Sequence, residues 1–529
     1  MSPRRGALVL MLHAHLPWVR HPEHPFFLEE HWLFEAVVET YLPLLESCRA
    51  MVRDGVPFRL TVDVSPTLAA MLADPLLRKR TTAYIDRLLD FLPREAERAA
   101  GNPALAKVVA FYRERLTRLR RLYVKTLDRD ILAELSRLAR DGVLELAACP
   151  ATHPLLPLLM DRPALLRGQI RTAVREHERV FGVAPRGVWL PECAYAPPLE
   201  RYLAEADLRW FVVDAHAFDA ARPRPAAGVH APLSTEYGVA AFARDIDSAR
   251  QVWSAQFGYP GDPLYREFYR DAGWDLPADY VAPIIDPSGE RMFTGLKYHR
   301  VTDRAGSRRE IYDPEAARAR ADLHAGHFFD ARVAAARALA ARLGRPPVVV
   351  CPYDAELFGH WWFEGPWFLE QFVRKMAYDQ DELELTTPSD VLGRFPERSV
   401  ASLEASSWGA GGYFEMWLTH ANEGRLPALA AVEDRFLALL AEYEGRAPFV
   451  DRVLKQMARE VMLAEASDWA FLAAAGTASS YAQSRFRGHV DRFAALDRML
   501  SEGALDEALV AECERRDPLF PSLDLADFV

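Results

Sequence analysis

Six short apolar runs punctuate this chain, and each ends in a residue type capable of chemistry. Residues 7–12 lead into His13-Ala14-His15, 58–62 into Asp63, and 143–148 into Thr152-His153. Residues 187–190 lead into Glu192, 210–213 into Asp214-Ala215-His216, and 347–351 into Asp354. Apolar runs of this length read as buried strands, and the stretches between several of them, 35–52 and 163–181 for example, carry helical spacing. Strands alternating with helices predict a parallel sheet and an α/β fold. Polarity narrows the choice. Every reactive residue lies at the C-terminal end of its strand, where βα barrels and open α/β sheets build their sites. A random scatter of His, Asp and Glu would also fall at strand starts. The expected core is a barrel-like α/β domain.

Two regions break the alternation. Between 75 and 142, Leu116, Leu119, Leu122 and Tyr123, then Leu127, Ile131, Leu135 and Leu138, follow helical spacing with Arg and Glu between them, which predicts a helical insertion. From about residue 425 helical patterns cover 427–443, 449–475, 481–500 and a short last segment. The expected organisation is a catalytic barrel over 1–74 and 143–400, an insertion over 75–142 and an all-helical C-terminal domain over 401–529. Residues 214–300 are rich in Pro, Gly and aromatics, and a loop region this long inside a compact domain is usually functional.

Composition excludes several partners. The net charge is −11 with no long basic tract, which argues against nucleic acid. No apolar stretch reaches transmembrane length, and residues 8–12 are too short for a signal-peptide core. Five cysteines, an odd number, argue against a disulfide framework and suit a reducing, cytoplasmic setting. An acidic chain with twelve Trp and eighteen Tyr is compatible with a neutral polysaccharide, although core packing uses the same residues.

The chemistry centres on Glu192 and Asp354. Both acids follow strand-like runs and stand among aromatics, the layout of a glycoside-cleaving pair. Pro191 fixes the turn from which the Glu192 carboxylate departs. The plainer roles are a helix N-cap or a salt-bridge partner for Glu192 and a helix N-cap for Asp354, and Glu356 is a rival acid two residues beyond Asp354. On a strand, His13 and His15 face the same side, which suits either a metal, completed by His153 and His216, or sugar hydroxyls. His324 and His327 fall on an Ala/Arg-rich helical stretch and read as surface residues. Trp274 and Trp408, in Gly-rich and polar settings, are the better stacking candidates among the tryptophans. Tyr237 sits in a loop as either a lid or a simple anchor.

Leu12-His13-Ala14-His15-Leu16-Pro17, the run 187–195, and Tyr353-Asp354-Ala355-Glu356-Leu357-Phe358-Gly359-His360-Trp361 resemble, in order, the motifs of glycoside hydrolase family 57; 144–153 resembles that family's third-strand motif. Residues 241–245, 258–261, 295–299 and Ser467-Asp468-Trp469 are similar to its 1,4-α-glucan branching enzyme subgroup. The resemblance implies a (β/α)7 barrel with a helical insertion and a C-terminal helical domain, and a retaining mechanism with Glu192 as nucleophile and Asp354 as general acid/base. It implies no metal and no cofactor. It places His13, His15, His153, Arg244, Trp274, Trp408, Trp417 and Asp468 at substrate, and Tyr237 in a loop capping the cleft. The implied substrate is an α-1,4-glucan, both donor and acceptor, acted on by a possibly monomeric protein. The same scaffold also supports α-glucan hydrolases and 4-α-glucanotransferases. A metal-dependent deacetylase and a silent glucan-binding protein are the readings from other classes.

Overall fold

The computed structural model describes residues 6–254, 257–303, 309–396, 398–443 and 447–529. Nine strands are present among them: β1 Gly6–Ala14, β2 Leu60–Val64, β3 Leu144–Ala147, β4 Gly187–Val188, β5 Trp210–Val213, β6 Leu233–Ser234, β7 Ala240–Ala243, β8 Val348–Asp354 and β9 Leu383–Thr386. Parallel pairing runs β3-β2-β1-β8 in one sheet and β4-β5-β7 in the other. A parallel bridge between Ala148 and Val188 joins β3 to β4. A hydrogen bond from Asp245 N to Val350 O, 2.8 Å, joins the end of β7 to β8. The seven strands β1, β2, β3, β4, β5, β7 and β8 thus close a parallel (β/α)7 barrel, with β9 paired to the start of β1 and β6 antiparallel on β7.

Alternation along the strands explains what the barrel holds. Ala7, Val9 and Met11 share an inner cluster with Trp210, Val212, Phe242, Val348 and Val350. Leu8, Leu10 and Leu12 belong to the larger cluster shared with the surrounding helices. Successive side chains on a strand point to opposite faces, so His13 continues the inward series of β1 and Asp354 that of β8. The two are register partners, which sets a histidine and an acid side by side over the barrel's C-terminal mouth.

Helices Pro75–Ala99, Pro103–Arg121 and Ile131–Arg140 fill the expected insertion. Each starts on an Asp or Asn whose side chain accepts from the first turn: Asp74 from Leu77 N, Asn102 from Leu105 N and Asp130 from Ala133 N. Leu116, Leu119, Tyr123, Leu127, Ile131, Leu135 and Leu138 are buried, as their spacing predicts.

Three differences from the sequence reading matter. One barrel strand, β7, lies inside the stretch read as loop; its Ala-Ala-Phe-Ala sequence is too small and unbranched to register as a strand. Residues 449–475 form two helices, Pro448–Ala464 and Ser467–Ala475, because Ala466 leaves helical geometry (φ −51°, ψ 131°) to bridge Pro154. His324, read as a surface residue, is half-buried and hydrogen-bonded to the Tyr265 hydroxyl at 2.7 Å, whereas His327 is exposed and bonded to Tyr259. No helix among the described residues is long and apolar enough to cross a membrane.

Gly187 opens β4 against the Trp210 ring, where a Cβ would lie 1.9 Å from a ring carbon. Gly187→Ala should therefore destabilise the protein by roughly 1–3 kcal/mol, read as a lowered urea midpoint.

Candidate active site

Glu192 leaves β4 through a strained turn. Its backbone is left-handed (φ 62°, ψ 19°), as is that of Cys193 (φ 49°) and of His153 (φ 59°). Such conformations cost non-glycine residues about 1–3 kcal/mol each and persist only where the surroundings enforce them. Here the enforcement is visible. Trp408 donates its backbone N–H to Glu192 O (2.9 Å) and its indole Nε1–H to Glu192 Oε2 (2.7 Å). The neighbouring pairing of Tyr195 with Ser406 holds the two segments together. Ser467 donates its hydroxyl to the other oxygen, Oε1, at 3.0 Å.

The three sequence-flagged histidines converge beside this carboxylate. His13 and His153 share an Nε2–Nε2 hydrogen bond of 3.1 Å, and His15 stacks on His153 with ring centroids 3.7 Å apart. Trp189 stacks on His13 at 4.7 Å. His15 Nε2 pairs with Asp468 at 3.0 Å and its Nδ1 with Ser65 Oγ at 2.8 Å. His153 Nδ1 meets Ser467 Oγ at 2.9 Å and stands 3.9 Å from Glu192 Oε1. His13 Nδ1 meets Asp63 Oδ2 at 2.7 Å.

The electrostatics divide the two acids. Burial pushes the Glu192 carboxyl up to about 7, while the Trp408 and Ser467 hydrogen bonds hold it down against the Asp468 charge. Burial lifts Asp354 well above the ordinary carboxyl range, and the Glu356 and Glu192 charges add to that lift, opposed by Arg244. Burial also lowers His13 and His153 well below 6.5. Burial works the same way on His15, but the Asp468 carboxylate, with Glu356 and Glu192 beyond it, raises it instead. The result is an imidazole pair held toward its neutral form, a His15 held toward its charged form beside Asp468, and two acids close enough for the Glu192 charge to act on Asp354.

The other flagged residues divide. Arg244, at the end of β7, forms an ion pair with Asp214 at the end of β5. Glu356 accepts from the Tyr41 hydroxyl and from His15 N (3.3 Å), and so braces the β1 loop. His216 bonds the carbonyl of Gly412 at 2.8 Å. Trp417, expected to stack on a ligand, is buried with Leu155, Ala194 and Ala470 behind Trp408. Trp274 is 51% exposed, beside Phe293 (6.2 Å) in an aromatic group that includes Phe268 and Trp361. Tyr237 corrects the lid expectation. It lies in the turn between antiparallel β6 and β7, closed by Thr235 N to Val239 O (2.9 Å). That turn precedes β7, so it sits at the N-terminal end of the barrel, opposite the acids. Local sequence alone does not reveal which end of an unrecognised strand a loop occupies.

A metal would find no free nitrogen here. His13, Cys149 and His153 cluster closely, as do His15, His153 and Asp468. Yet both ring nitrogens of His13, His15 and His153 are engaged by protein partners. Burial raises the Cys149 thiol well above its usual range, away from the thiolate a metal prefers.

The sequence model of glycosyl hydrolase family 57 matches residues 9–328. The chain belongs to glycosyl hydrolase family 57. A second model, for the 1,4-alpha-glucan branching enzyme C-terminal region, matches 428–528 of this family 57 chain, the part that supplies Ser467 and Asp468. The chain is 33% identical to a 1,4-alpha-glucan branching enzyme of Thermococcus kodakarensis, over 99% of this chain and 79% of that protein. Among solved structures, an α-amylase of Thermotoga maritima superposes with a TM-score of 0.93 at 40% identity, covering 99% of both chains. A family 57 branching enzyme of Pyrococcus horikoshii superposes with a TM-score of 0.89 at 33% identity, covering 99% of this chain and 97% of that one.

Trp408→Phe removes a charge-assisted donor worth about 1.5–3 kcal/mol. It should raise the Glu192 carboxyl by roughly one to two pH units, read by ¹³C NMR of labelled glutamate with Glu192→Gln to assign the signal.

Proposed function

We propose that this family 57 protein is a retaining 1,4-α-glucan branching enzyme, with Glu192 as nucleophile and Asp354 as general acid/base. The observation that carries the reading is the unequal treatment of the two acids. Glu192 receives two hydrogen-bond donors, which favour a carboxylate. Asp354 is half-buried beside other carboxylates, which favours the acid form. One ionised and one protonated carboxyl are what double displacement requires at rest.

Glu192 then attacks the anomeric carbon of an α-1,4 linkage while Asp354 protonates the departing O4, and a covalent glycosyl-enzyme forms. Asp354, now a base, takes the proton of an acceptor's 6-hydroxyl, and that oxygen displaces Glu192 to make an α-1,6 branch. The His13–His153 pair and the hydrogen-bonded His15–Asp468 pair are suited to the hydroxyls of the sugar held at the nucleophile. Trp408 supplies both an indole donor and an aromatic face. The acceptor competes with water, so transfer depends on holding a sugar and excluding solvent.

The branching reading draws support from the named relatives in Thermococcus and Pyrococcus and from the C-terminal region they share with this chain. One finding favours a second reading, α-1,4-glucan hydrolysis: the Thermotoga structure, at 40% identity, is named an α-amylase. Incubation with amylose separates the two. New α-1,6 linkages by ¹H NMR, and short chains released by a debranching enzyme, support branching; reducing ends that accumulate without α-1,6 signals overturn it.

Glu192→Gln should lower both transfer and hydrolysis by at least about 10³-fold, because both proceed through the ester formed on Glu192. Activity should rise with pH through about 7 as Glu192 ionises and fall at higher pH as Asp354 loses its proton, giving a bell-shaped kcat/KM profile. Tyr237→Ala, at an exposed turn far from the pair, should leave the branching-to-hydrolysis ratio within about twofold of the parent.

A further inference from the structure

Asp63, at the end of β2, has no part in the mechanism above, yet it is completely buried and tied to the nucleophile through four hydrogen bonds in series. Asp63 Oδ2 meets His13 Nδ1 at 2.7 Å, and His13 Nε2 meets His153 Nε2 at 3.1 Å. His153 Nδ1 meets Ser467 Oγ at 2.9 Å, and Ser467 Oγ meets Glu192 Oε1 at 3.0 Å. The links draw on β1, β2, the loop after β3, the turn after β4 and the C-terminal helical region.

The direction of the protons follows from counting them. An ionised Glu192 only accepts, so Ser467 spends its single proton on Oε1. Ser467 Oγ must then accept from His153, which puts the His153 proton on Nδ1. A neutral imidazole carries one N–H, so His153 Nε2 is bare and accepts from His13 Nε2–H. His13 Nδ1 is bare in turn, and the oxygen facing it, Asp63 Oδ2, must bear a proton.

The surroundings of Asp63 agree with that result. Its other oxygen, Oδ1, is buried without a hydrogen-bond partner among the described residues, and its sole ion-pair contact there is His13. A carboxylate so placed would be a buried charge with Oδ1 unpaired and only the more distant His15 to offset it, so burial favours the protonated form, whereas a carboxylic acid leaves only a carbonyl oxygen unpaired.

We propose that Asp63 and Ser467 are positioning residues at the two ends of this relay, in which a protonated Asp63 fixes the tautomers of His13 and His153 so that the Ser467 hydroxyl is held on the Glu192 carboxylate. Remove the Asp63 proton donor and the relay can invert. His13 then protonates Nδ1, His153 protonates Nε2, and Ser467 donates to His153 with its lone pairs facing Glu192. The charged and titratable groups around the relay are His15 on β1 and Asp468 on helix Ser467–Ala475, stacked or paired beside it. Cys149 lies beyond β3, Arg244 beyond β7, and Asp354 and Glu356 at the end of β8. The inference rests on Glu192 being the nucleophile only for its kinetic consequence, not for the proton arrangement.

The test has two arms. In the first, ¹⁵N-histidine NMR of the full-length protein at pH 8, assigned with His13→Asn and His153→Asn, reads the tautomers directly. The expected result is His153 protonated on Nδ1 alone and His13 on Nε2 alone. A doubly protonated His13, or His153 protonated on Nε2, overturns the proposal. In the second, Asp63→Ala and Ser467→Ala should each move the acidic limb of the kcat/KM profile up by roughly one pH unit. The double variant should move it no further than either single, since both act through one path. Ser467→Thr, which keeps the hydroxyl, should restore the parent limb. A limb that moves in Ser467→Ala but not in Asp63→Ala, or additive shifts, contradicts the relay. If the tautomers are as expected while no variant moves the limb, Glu192 is not the nucleophile and the proton arrangement stands.

Discussion

The half-buried Glu192 carboxylate is held in its charged form by two donors, one on each oxygen. Those donors, the Trp408 indole and the Ser467 hydroxyl, lie 216 and 275 residues further along the chain. Neither belongs to the barrel strands. The loop that carries Trp408 pairs with the segment just after Glu192, and the helix that begins at Ser467 docks through the Pro154–Ala466 bridge. The C-terminal helical region therefore completes the site as well as supporting it. A barrel lacking that region would retain both acids but leave Glu192 with a single side-chain donor, and its proton affinity would climb toward that of Asp354.

The same burial that raises the Glu192 carboxyl acts more strongly on Asp354, the proposed acid. Asp354 sits beside His13 on the adjacent strand and near the Glu356 and Glu192 carboxylates, so its charged form is the costly one. Low local polarity strengthens every interaction in the pocket and makes each unpaired group expensive. The strained backbone at Glu192, Cys193 and His153 belongs to the same design, because it aims the Glu192 carboxylate and a neighbouring imidazole into one space at a conformational cost that the Trp408, Tyr195 and Ser467 contacts offset.

Much of this was legible in the chain because strand ends are local features. His13, Asp63, His153, Glu192 and Asp354 all follow apolar runs, and the barrel brings all five together. The seventh strand escaped because Ala240–Ala243 is short and dominated by alanine, and with it went the correct side for Tyr237. A continuous helical pattern over 449–475 hid the break that frees Ser467 and Asp468, since the break is imposed by pairing with Pro154 and not by Gly or Pro in the helix itself. Trp417 and Trp274 show a second limit: sequence setting distinguishes loop from strand but does not separate a buried ring from one open to a ligand. The hydrogen-bond partners of Glu192 are long-range and carry no local signature, although Ser467 lay one residue before an acid already singled out.

The account turns on Glu192 forming a bond to sugar while Asp354 carries the proton. Trapping with a mechanism-based fluoroglucosyl fluoride, followed by proteolysis and peptide mass spectrometry, reads this directly. The account predicts one glucosyl adduct, on the side chain of Glu192 within the peptide spanning 187–195. An adduct on Asp354 or Glu356, or turnover with inversion at the anomeric centre and no adduct, would contradict it.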